Sequence, residues 1–140
     1  MKKRNLSRTW MYSIIFAVVV IAIVLFLLLN QTPNQSNLLI IKDQMIIPNE
    51  KCSQLDQYSI IYKTGCQHCA KVLPRIQEVE QSLNLSFKHY NLAIPSDFSQ
   101  IEAMGIMPEG VPAVIINCKA YLGSGYTTED FKGFILQTGN

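Results

Sequence analysis

The residues best suited to chemistry are Cys66-Gln67-His68-Cys69. Two thiols at this spacing serve half of a zinc site, a metal-delivery loop, or a dithiol that cycles with its disulfide. The flanking pattern favours the last. Tyr58 to Tyr62 (YSIIY) is a compact β-rich run that stops at Lys63-Thr64-Gly65. From Cys66 the period changes: Cys69, Val72, Ile76, Val79 and Leu83 fall at steps of three and four, the signature of one helix face. Strand, tight turn and helix therefore put Cys66 at a helix N-terminus, where unpaired backbone N–H groups and the helix dipole favour a thiolate. Cys66 is the expected nucleophile. Cys69, on the apolar stripe, is expected to be buried and to resolve the mixed disulfide. That chemistry requires no organic cofactor and no metal. His68, in the first turn, is a candidate to stabilise the thiolate as an imidazolium, the alternative being a solvated histidine. His89 reads as structural.

Other elements must hold this unit. Leu38–Ile41 and Met45–Ile47 are short apolar runs, readable as two strands or one hairpin. Leu85–Leu92 reads as a second strand, and Ser96–Met104 as a short helix stopped by Gly105. Ala113–Asn117 follows Gly110-Val111-Pro112 as a third strand, with Lys119–Leu122 able to pair back on it. A last helix has Thr127 as its cap, Asp130 three residues on, and an apolar face of Phe131, Phe134 and Ile135. The order β-α-β-α-β-β-α implies an α/β fold whose central sheet mixes parallel and antiparallel strands and is flanked by helices.

Residues 11–29 carry no charge over 19 positions, roughly 28 Å of helix, and read as a transmembrane segment. No A-x-A-like site and no lipid-accepting cysteine follows Leu29, so the expectation is an uncleaved signal anchor. Lys2, Lys3, Arg4 and Arg8 orient residues 1–10 to the cytoplasm. Residues 30–37 (NQTPNQSN) read as a polar spacer, and 38–140 as one extracytoplasmic domain. The formal charge of +2 comes from those four basic residues, with acids in excess beyond them, which excludes a nucleic-acid binder. All four cysteines, Cys52, Cys66, Cys69 and Cys118, lie beyond the apolar run, where disulfides would persist, and allow three pairings.

From about residue 56 to 138 the chain resembles the thioredoxin superfamily. Cys66-Gln67-His68-Cys69 opens the first helix of the domain, Pro74 matches the proline inside that helix, and Val111-Pro112 matches the cis-proline loop that faces the dithiol. The C-x-H-C form and the valine before the proline are similar to Dsb-type oxidoreductases. The resemblance implies a thioredoxin-like fold, a cis bond at Pro112, and a substrate chain received by Val111 and Pro112. Two positions depart from the family: Gly65 stands where tryptophan is usual, and Ile60 where thioredoxins carry a buried acid. In such a fold the start of the first central strand lies beside the end of the cis-proline strand, which implies a structural Cys52–Cys118 disulfide. The alternatives are that both are free or form a second redox pair.

Together these readings lead to a membrane-anchored thiol:disulfide oxidoreductase. Its expected partners are cysteine-containing extracytoplasmic proteins and a membrane redox partner. Oxidation, isomerisation and reduction all stay open, with His68 and the compartment favouring the first. The rival is a copper- or zinc-delivery protein using Cys66, Cys69 and His68.

Overall fold

A computed structural model of the protein describes residues 6–29 and 38–137. The expected spacer over 30–37 and the basic residues Lys2, Lys3 and Arg4 lie outside the described residues. The chain divides into two units, Met1–Ser36 and Asn37–Asn140.

In the first unit the apolar run forms α1 (Leu6–Leu29), whose stretch 12–26 is exposed throughout. Among the described residues no helix is long and apolar enough to cross a membrane. This corrects every expectation that rested on a transmembrane helix over 11–29: the signal anchor, the single-pass topology with a cytoplasmic N-terminus and extracytoplasmic domain, and the membrane and extracytoplasmic partners.

The second unit contains an open mixed α/β sheet. Its elements are β1 (Leu39–Ile41), α2 (Asn49–Cys52), β2 (Tyr58–Tyr62), α3 (Gln67–Leu83), β3 (Lys88–Asn91), α4 (Pro95–Ala103), β4 (Ile106–Pro108), β5 (Ala113–Ile116), β6 (Lys119–Leu122) and α5 (Thr128–Gln137). The main sheet has the order β3-β2-β5-β6. β2 runs parallel to β3, with Tyr62 opposite Asn91, and antiparallel to β5, with Tyr58 opposite Ile116. β5 and β6 form a hairpin.

Side-chain alternation along the strands builds two cores. Ile60, Val114 and Ile116 point to one face, against Val72, Ile76 and Val79 of α3 and Phe131 of α5. Ile61, Ala113 and Ile115 point to the other, against Ile41, Ile101 and Ile106. Because β2 and β5 are covered on both faces, they read as continuous apolar runs.

The two N-terminal apolar runs do not form a hairpin with each other. β1 pairs in parallel with β4, Leu39 opposite Ile106. The 45–47 segment lies along β6: Ile47 N–H donates to the Cys118 carbonyl at 2.7 Å and Ala120 N–H to that of Met45 at 2.9 Å. Each run closes an otherwise open strand edge, a stronger demand than pairing two three-residue strands with one another. The strand expected over 85–92 is shorter, because α3 ends at Asn84 in the left-handed conformation (φ +50°) and Phe87 N–H is taken by the Glu80 carboxylate at 2.7 Å.

Candidate active site

The path to the dithiol begins where β2 leaves the sheet. Lys63-Thr64-Gly65-Cys66 is a turn closed by Cys66 N–H donating to the Lys63 carbonyl at 3.2 Å, with Gly65 at φ +83°. A positive φ at the third position is the mark of a type II turn and is strained for any residue with a Cβ. Asn91, at the end of β3, holds this turn. Its Oδ1 accepts from Thr64 N–H at 3.1 Å, and its Nδ2 donates to Thr64 Oγ1 at 2.7 Å.

Cys66 is the N-cap of α3. Its Sγ accepts from Cys69 N–H at 3.2 Å and, as a thiol, donates to the Val111 carbonyl at 3.6 Å. Burial pushes the Cys66 thiol up, but hydrogen bonds from the Cys69 thiol and from the Cys69 and His68 backbone outweigh it, so its pKa falls below the ordinary 9.0. Cys69 behaves oppositely. It is buried, and desolvation together with the neighbouring Cys66 raises it to about 11. One thiol is accessible and acidified; the other is shielded and kept protonated.

Val111-Pro112 is a cis peptide. Val111 is half-buried and its carbonyl faces Cys66, while the Pro112 carbonyl accepts from Gly123 N–H at 2.8 Å. Cys66, Cys69 and the Val111 carbonyl are thus brought together, with Pro112 next along the chain. His68 is turned elsewhere: its Nδ1 lies 2.9 Å from Ser124 Oγ, so its part in lowering Cys66 is that of its backbone N–H. Ile60 is fully buried on the α3 face of the sheet. His89 Nε2 lies 3.6 Å from Glu80 Oε1 and its ring sits edge-on to Tyr62.

Cys52 and Cys118 are joined in a disulfide, with Cα atoms 5.4 Å apart. Cys118 and Asn117 are the two central residues of the β5–β6 turn, both with positive φ (+66° and +48°). The bridge ties α2 to that turn, near the Tyr58 end of β2 and away from the dithiol at its other end.

Sequence reasoning missed Asn91, Thr64, Ser124 and Arg75. Arg75 Nη1 donates to the Ser124 carbonyl at 3.0 Å and to that of Tyr126, pinning the loop after β6 to α3. None of the four has a local signal: an asparagine ending a strand and a serine between glycines read as ordinary loop residues. Among the described residues no group of three or more His, Cys, Asp or Glu is arranged to hold a metal ion.

No family model and no curated protein matches the chain. Among solved structures, that of the first two thioredoxin domains of Saccharomyces cerevisiae Eps1p matches at 19% identity, over 68% of this chain and 40% of that chain, with a TM-score of 0.37. So distant a likeness carries no argument. The strand order and the closely spaced cysteine pair of this chain are consistent with a redox-active enzyme in general.

Proposed function

We propose that the protein is a thiol:disulfide oxidoreductase whose working pair is Cys66 and Cys69. The observation that carries this reading is the asymmetry of the two thiols: Cys66, at a helix N-terminus, accepts the Cys69 N–H at 3.2 Å and is acidified, while Cys69 is buried and raised to about 11. In the reducing direction the Cys66 thiolate attacks a substrate disulfide, forming a Cys66–substrate S–S bond and releasing one substrate thiolate. Cys69 then gives up its proton and attacks Cys66 Sγ, which leaves Cys66–Cys69 oxidised and the second substrate sulfur reduced. The same steps run backwards make a disulfide in the substrate. Val111 and Pro112 form the edge that receives the substrate chain, a role suggested by the Val111 carbonyl facing Cys66.

The test is the equilibrium of the full chain with defined thiol/disulfide buffers, read by mass spectrometry of alkylated cysteines. A midpoint near about −120 mV would make the pair a disulfide donor, and one near about −270 mV a reductase. Absence of any two-electron transition at Cys66/Cys69 would refute the reading. A metal-delivery role is less well supported, because the pair offers two ligands and His68 Nδ1 is engaged by Ser124.

A further inference from the structure

Among the described residues only Ser59 and Asn91 are buried and polar. Ser59 has a local partner, donating to the Asp56 carbonyl three residues away at 3.0 Å. Asn91 uses both ends of its side-chain amide to tie two loops. Besides the two bonds to Thr64, its Oδ1 accepts from Ala93 N–H at 3.1 Å, and its own backbone N–H is taken by the Asp97 carboxylate at 2.9 Å. A buried amide is costly unless its hydrogen bonds are made, so this arrangement constrains each partner tightly.

What it constrains is the second residue of the turn that ends in Cys66. With Gly65 permissive at the third position, the turn would sample other conformations were Thr64 not held at both its N–H and its hydroxyl. A change in the Thr64 peptide rotates the Gly65 and Cys66 peptides, and with them Cys66 Sγ relative to the Cys69 N–H. We infer that Asn91 is a positioning residue of the dithiol: through Thr64 it sets the turn that aims Cys66 at the N-terminus of α3. The inference rests on the proposed dithiol chemistry and extends it to a residue 25 positions away on another strand.

The experiment compares the full chain with Asn91→Ala, Thr64→Ala, Thr64→Ser and the Asn91→Ala/Thr64→Ala pair. Each is read by the pH profile of Cys66 alkylation in the folded protein and by the dithiol–disulfide equilibrium with glutathione. Loss of the clamp moves Cys66 titration up toward 9.0, slows its alkylation at neutral pH by about three- to tenfold, and shifts the equilibrium toward the protein disulfide, because the thiolate is less stabilised. Thr64→Ser, which keeps the hydroxyl, restores the wild-type profile. The double variant is no worse than the worse single one.

A purely structural Asn91 would lower the melting temperature and leave both readouts unchanged, which overturns the inference. Thr64 is exposed, so its variants carry the same measurement if Asn91→Ala does not fold; equal readouts for Thr64→Ala and wild type also overturn it. These outcomes differ from failure of the dithiol reading, in which the wild type itself shows no redox transition.

Discussion

His68 Nδ1 lies 2.9 Å from the hydroxyl of Ser124, a residue 56 positions further along the chain. The Ser124 carbonyl is in turn held by Arg75. The imidazole is therefore tethered to the loop after β6, and the acidity of Cys66 comes from backbone N–H groups and the Cys69 thiol.

His68→Ala should accordingly change Cys66 alkylation by less than about twofold, the size of an exposed electrostatic contact. Ser124→Ala, by freeing the ring, should make the Cys66 titration depend on His68, so that the effect of His68→Ala is larger in the Ser124→Ala background. A tenfold loss of Cys66 reactivity in His68→Ala alone would place the imidazole on the thiolate instead.

The two thiols should titrate on opposite sides of 9.0, Cys66 below it and Cys69 near 11. The consequences for stability have opposite signs. The lowered Cys66 contributes stability that is full above 9.0 and is lost as pH falls through its folded value. The raised Cys69 contributes stability that is full below 9.0 and is lost as pH rises from there through about 11. Urea midpoints of the reduced protein between pH 8 and 11 should fall more steeply than those of Cys69→Ala.

Replacing Cys52 and Cys118 together by alanine should cost about 2–4 kcal/mol of unfolding free energy. The bridge lies near the opposite end of β2 from the dithiol, so the Cys66/Cys69 equilibrium with glutathione should stay within about twofold, inside the limits of additivity for distant sites. A larger shift would mean that the two pairs exchange electrons.

Arg75→Met keeps much of the side-chain volume and removes both charge-assisted bonds to the Ser124 and Tyr126 carbonyls. The expected cost is about 1.5–3 kcal/mol in chemical denaturation. Asp43 accepts from Tyr126 Oη at 2.8 Å and from Leu122 N–H at 2.8 Å, so the loop keeps a second anchor and the fold survives.

Period and punctuation alone make α3 and its cysteines legible along the chain. Cys69, Val72, Ile76 and Val79 repeat with the helical period and are all buried, and Gly65, third in the turn, takes the positive φ that suits glycine. Local pattern erred at the apolar run and at the sheet edges. The uncharged run 11–29 is helical, yet no helix among the described residues is long and apolar enough to cross a membrane. Leu39–Ile41 found β4 and the 45–47 segment found β6, because open sheet edges compete with a local hairpin and win.

The site divides along the same line. Helical spacing and a strand–turn junction suffice to put one thiol at a helix N-terminus and the other on an apolar face, since both are properties of contiguous chain. Which groups meet those thiols is a matter of pairing between distant strands. β5 set antiparallel beside β2 brings the Val111 carbonyl to Cys66, β3 set parallel beside β2 brings Asn91 to Thr64, and the return from β6 brings Ser124 to His68. Hydrogen bonds across 27 to 56 residues leave no periodic trace in the chain, so only the folded sheet could reveal them.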